Sequence, residues 1–320
     1  RFFFFFAESV TWPSIYALYS QWIHPDRRAS AVGLMNSGIA GGSVIALICT
    51  PWLISVWSWQ GAFYLYGLLG VVWFIFWIYS AQSRPSPLPE WQSTVALAPQ
   101  LTPEAPPVVA ADEQIYPRLT IRRMLHSRAV WAIAIAHISI NWSLYLILSW
   151  FPTFVNREMG VDLQTAGLLA LAPTAISLVM APAAGRLFDR LVAQGYKRRT
   201  IRRVMQSVAF AGITLAMLTV TLTDSLMISV AVITLSNALG AFSIGGFATN
   251  HLDVAPNQAG LLMGVTNTLA AVSSGASVFV SGWIQDVSGG WDAVFYLAAL
   301  VSVAGAFVYS LLADVEREFD

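Results

Sequence analysis

The sequence predicts an all-α, polytopic membrane protein, and three observations carry that prediction. The 320 residues are 57% hydrophobic and 11% charged, with a mean hydropathy of +0.64, too apolar for an ordinary soluble domain. Runs of about 20 apolar residues recur, the length a helix needs to cross a bilayer with its backbone polar groups satisfied internally. The basic residues cluster between alternate runs, the asymmetry that fixes sidedness in helical membrane proteins. Formal net charge is zero and Cys49 is the single cysteine. Nucleic acid is therefore not an expected partner, and no disulfide framework or metal cluster is expected. The lipid bilayer is the expected partner, with one chain as the working unit.

Bounded by charge, Pro or Gly, the runs place nine spans at about 1–22, 30–54, 60–80, 129–155, 164–186, 203–223, 225–250, 258–285 and 291–313. Between the third and fourth lies a Pro-rich stretch, SRPSPLPEWQSTVALAPQLTPEAPPVVAADEQIYPR, with no sustained helical or strand pattern, which reads as a flexible linker. Three units follow: residues 1–80 as a front bundle, 81–128 as a linker on the cytoplasmic-type side, and 129–320 as a six-helix bundle. With that orientation, every Lys and Arg except Arg157 and the in-span Arg1 falls on the linker side. Large secondary transporters commonly pair two six-helix halves around a midplane site. Three plus six therefore leaves the front half three spans short.

Each element carries its own polar signal. In the first span, RFFFFFAESVTWP, Arg1 and Glu8 are two helical turns apart, on one face and about 10 Å from each other. A charge inside a span marks a functional site, with a frayed terminus and a structural ion-pair partner as the alternative. Pro13 kinks this helix and frees a carbonyl. WIHPDRRAS is a cytoplasmic turn that anchors topology, and Gly33, Ser37, Gly38, Gly41, Gly42 and Ser43 after it allow close helix packing.

In the fourth span His137, Asn141 and Tyr145 recur at i, i+4 steps and form one polar face. This face lines a wet cavity or serves interhelical hydrogen bonds. His137 also offers an imidazole able to exchange a proton near neutral pH. GRLFDRLVAQGYKRR ends the fifth span: Asp189 and Arg190, with the basic residues beyond, form an ion-pair latch or a solvated loop. TNHLDVAPNQAG joins Asn250, His251 and Asp253 to a Pro-marked helix break at a cytoplasmic boundary. Asn267, Thr268, Ser273, Ser274 and Ser277 continue down the next span, lining a pathway or bonding to backbone. No phosphate loop, HExxH, zinc spacing or nucleophile elbow is present in the sequence, so an enzyme is not expected.

Taken together these motifs resemble the major facilitator superfamily, and within it the anion:cation symporter family of sialic-acid, vesicular glutamate and plant plastid phosphate carriers. The fourth helix of that family carries an arginine, a glutamate seven residues on, Val-Thr and a proline, matched here by Arg1, Glu8, Val10, Thr11 and Pro13. AHISINW, NHLDVAP and GRLFDR match further family segments in order. The resemblance implies the major facilitator fold without the first three of its twelve helices. It implies Arg1 as an anion contact, Glu8 as a coupling residue, and a gating role for Asp189, Arg190 and Asp253. Substrate contacts are expected from Arg1, His137, Asn141 and Tyr145. Glutamate carriers have a second arginine at the position of Ile140, which argues against a dicarboxylate-like substrate. The implied activity is symport of inorganic phosphate or a small organic anion with sodium or protons by alternating access, without another cofactor. An uncoupled channel or a truncated, non-transporting membrane protein are the alternatives. Residence in the plastid envelope or thylakoid is implied by the same resemblance, with endomembrane or plasma membrane otherwise.

Overall fold

The computed structural model describes residues 9–81, 120–169 and 171–319. Arg1, Glu8 and most of the expected linker lie outside them. Among the described residues nine main helices follow one another: α1 Thr11–Trp22, α2 Arg28–Val56, α3 Trp59–Ser80, α4 Arg128–Met159, α5 Leu171–Ala193, α6 Arg198–Val220, α7 Leu226–Gly240, α8 Ala259–Ser288 and α9 Asp292–Leu312. Short helical turns at Ile121–Met124 and Leu163–Leu169 precede α4 and α5. No strand occurs among the described residues. Among the described residues, eight stretches are long and apolar enough to cross a membrane, matching the second to ninth expected spans.

Local chemistry sets the ends. Ser58, Ser127 and Ser225 cap α3, α4 and α7 by accepting from first-turn amides, the donors a helix leaves unpaired. Gly160 and Gly289 adopt φ values of 65° and 72° just past α4 and α8, a conformation that closes a helix at little steric cost to glycine. Two expected boundaries move. Residues 198–203, read as loop because of their charge, form the first turns of α6, and GRLFDR lies within α5, which runs on to Ala193. Long basic side chains at helix ends can reach the interface without ending the helix.

The third difference is a break. The expected span 225–250 is helical only to Gly240, and residues 241–250 continue as 3-10 turns around Gly245 and Gly246. Helices α4 to α9 enclose two apolar cores. One, at the linker-side end, joins Ile133, Phe210, Leu262, Tyr309 and Phe319, and the other joins Leu146, Phe154, Met217 and Phe295. Helix α3 touches α2, including a Thr50 to Tyr66 hydroxyl contact of 2.8 Å, and exposes most of its apolar side chains.

Candidate functional site at the linker-side ends

The front helices meet the back bundle along two crossings, α2 on α5 and α1 on α8. Both depend on missing side chains. A Cβ on Gly33 would sit 2.5 Å from the Ala181 carbonyl oxygen, one on Gly260 2.6 Å from that of Pro13, and one on Gly185 would overlap that of Ala29. Ser37 donates to the Leu178 carbonyl at 2.8 Å and the Tyr16 hydroxyl to that of Ala248 at 2.8 Å. These contacts involve residues 13–37 of the front helices, near the connection between α1 and α2. That connection lies on the linker side, so the two halves are sealed there.

Charges complete the seal. Asp189 on α5 accepts from the backbone amide of Ser30 at 2.8 Å. Ser30 is in the first turn of α2, so a carboxylate from the back half caps a helix of the front half and meets its positive dipole end. Arg190 is exposed and makes no ion pair among the described residues. Arg28 donates to the carbonyls of Ser20 at 3.0 Å and Leu252 at 3.1 Å, again joining the halves. Arg198, at the start of α6, reaches Asp26 in the front half at 2.6 Å and Asp253 in the back half at 3.7 Å.

Behind this rim lies a group that sequence reasoning missed. Arg202 is 2% exposed, forms an ion pair with Asp253, and donates to Thr249 Oγ1 at 2.7 Å and to the carbonyls of Gly245 and Gly246 at 3.1 Å. Its guanidinium also stacks over Phe188 at 4.4 Å. The 3-10 turns leave these carbonyls short of helical partners, and the arginine fork satisfies them. A signal existed: Arg202 shares a helical stripe with Met205, Gln206 and Ala209, all buried. A cation on the apolar stripe of a span needs a partner.

The remaining candidates separate by environment. His137 is buried on α4, with Nδ1 3.3 Å from Thr266 Oγ1, and the same hydroxyl is 2.9 Å from His251 Nε2. His251 closes the chain through Nδ1 and the Ala248 carbonyl at 2.9 Å and stands edge-on to Tyr16 of the front half. Asn250 and His251 therefore lie in the core, and the Pro-marked break follows them as a 3-10 turn at Pro256–Gln258. Asn141 donates to its own helix at the His137 carbonyl, 3.0 Å away. Tyr145 is 40% exposed, so the expected face runs from buried to open along α4. Thr268 and Ser274 bond to their own helix, whereas Ser273 and Ser277 bond to carbonyls of α4.

Comparison with known proteins agrees with this architecture. The Major Facilitator Superfamily profile matches residues 1–278. The chain is 30% identical over 98% of its length to "Ascorbate transporter, chloroplastic" and to "Sodium-dependent phosphate transport protein 1, chloroplastic" of Arabidopsis thaliana, covering 56% and 60% of those proteins. It is 30% identical over 97% of its length to "Sialin" of Ovis aries, covering 62% of it. The chain thus spans a little over half the length of these relatives. With an all-α membrane fold, a matching profile and relatives of this one kind, the chain belongs to the Major Facilitator Superfamily, in its anion:cation symporter group.

Proposed function

We propose that the protein is a secondary active transporter of inorganic phosphate or a small organic anion, coupled to sodium or protons, and that it works by alternating access. The observation that carries the mechanism is the unequal strength of the linker-side contacts. The polar contacts between halves are single hydrogen bonds and the Asp26 to Arg198 pair, whose aspartate side chain is 59% exposed. An exposed pair contributes about 0–1 kcal/mol, weak enough to break and remake. The Arg202 to Asp253 pair lies inside the back half and holds its shape while the halves move apart. Asp189 on the amide of Ser30 is the gating contact proposed for GRLFDR, with Arg190 beside it.

Arg1 as anion ligand and Glu8 as coupling residue rest on family resemblance. His137, Asn141 and Tyr145 are proposed as the back half's contribution to the pathway, and their graded exposure along α4 supports that reading. The relatives' names support an anion as substrate. Plastid residence belongs to the same proposal, supported by the word "chloroplastic" in those names.

The test is uptake into proteoliposomes holding the full product of the gene, with labelled phosphate, ascorbate, glutamate and sialate offered in parallel. Accumulation against the substrate gradient only when a sodium or proton gradient is imposed is the expected result. Equilibration that ignores both gradients would identify a channel, and absence of uptake a non-transporting membrane protein.

A further inference from the structure

A cavity of about 500 Å³ opens at the linker-side end of the crossing between α2 and α5. Trp22, Ala31, Leu34 and Pro182 give it apolar walls, and Arg27 and Arg186 also line it. Arg27 belongs to the turn of the front half and Arg186 to α5 of the back half. Neither has a carboxylate partner among the described residues, and the nearby acids are engaged elsewhere. Asp26 is held by Arg198 at 2.6 Å and lies 3.6 Å from His24, and Asp189 accepts from the amide of Ser30. Among the described residues, two cations share one cavity with no carboxylate as counter-charge.

The surroundings select the counter-charge. Trp22 ends α1 at the level where indoles favour the membrane interface. Leu34, nearly two turns into α2, is 65% exposed and carries the apolar wall toward the hydrocarbon. An ion from solution would use the guanidinium groups and leave that wall bare, whereas a phospholipid uses both. Basic pockets between spans on the cytoplasmic side suit anionic headgroups, and paired guanidinium groups suit phosphate oxygens. We propose that this cavity is a binding site for an anionic phospholipid, with its headgroup phosphate between Arg27 and Arg186 and an acyl chain along Leu34 and Pro182. Because the two arginines come from different halves, the lipid acts as a clamp on the sealed linker side.

The test measures thermal unfolding of the full gene product in neutral detergent with added phosphatidylglycerol, phosphatidylcholine or inorganic phosphate. A ligand of the folded state raises the midpoint. Phosphatidylglycerol is expected to raise it and phosphatidylcholine is not, and any rise given by inorganic phosphate, a candidate substrate, should not depend on Arg27 and Arg186. The Arg27→Gln/Arg186→Gln double variant should lose the rise, and Arg27→Lys/Arg186→Lys should keep part of it, which also reports that the site tolerates substitution. Arg122→Gln/Arg128→Gln removes the same charge from exposed positions on the same side and should keep the rise in full. The proposal is overturned if both phospholipids act alike, if the rise survives Arg27→Gln/Arg186→Gln, or if Arg122→Gln/Arg128→Gln abolishes it. It also falls if inorganic phosphate gives a rise that Arg27→Gln/Arg186→Gln abolishes, since the site then takes a free anion; a phosphate rise that survives the double variant belongs to the transport site. Uptake does not enter the readout, so failure here is separable from failure of the transport reading.

Discussion

At the scale of single residues, Asp253 and Asp26 make the same kind of bond with opposite consequences. Asp253 faces a guanidinium that is 2% exposed, and Asp26 one at the rim. Replacing Asp253 by Ala strands the Arg202 charge in the core, and breaking a buried pair from one side costs about 3–5 kcal/mol. Replacing Asp26 by Ala should change stability by less than about 1 kcal/mol. Unfolding midpoints in detergent measure both, and equal losses would refute the division into a fixed pair and a movable one. In the sequence, Asp253 was legible as a polar residue beside a break, but its partner 51 residues away was read as one of several loop cations. Pairing across that distance is settled by how α6 packs against the 3-10 turns, which no local pattern encodes.

At the scale of elements, spans were legible because an apolar run of the right length has few alternatives in a membrane, whereas their ends and faces were not. The small-residue stretch after the first turn shows why. Its i, i+4 series Gly33, Ser37 and Gly41 faces α5, while an added Cβ on Gly38 or Gly42 would meet nothing within 4 Å. Composition alone marked all of them as packing positions, and the rotation of α2 about its axis decides which ones pack. Gly185→Leu and Gly33→Leu should therefore force the halves apart at a cost of about 1–3 kcal/mol to the sealed arrangement. Gly38→Leu and Gly42→Leu should leave it intact. A cysteine in place of buried Ala181, with Cys49 replaced by Ser, reports the outcome as thiol labelling from the linker side. Equal labelling in all four backgrounds would show that the crossing does not depend on glycine.

For the whole molecule, sidedness and motion are the two properties to test, and the first supports the second. Tyr196 between α5 and α6, and Leu222 after α6, are both exposed and should label from opposite faces of the membrane as single cysteines. Given that orientation, alternating access requires the linker-side seal to open once per cycle, so a tether across it must stop transport while a tether beside it must not. Asp26 and Arg198 supply the first pair, spanning the halves at 2.6 Å, and Arg199 and Asp314 the second, lying within the back half at 3.7 Å. With each pair changed to cysteines and bridged by a short reducible reagent, uptake by the Asp26→Cys/Arg198→Cys protein should fall to background and return on reduction. Uptake by Arg199→Cys/Asp314→Cys should persist when bridged. If the first tether leaves uptake unchanged, the halves do not separate on this side and the rocking mechanism is wrong. If both tethers abolish it equally, the back half itself deforms during the cycle, and the seam between the halves is not the moving part.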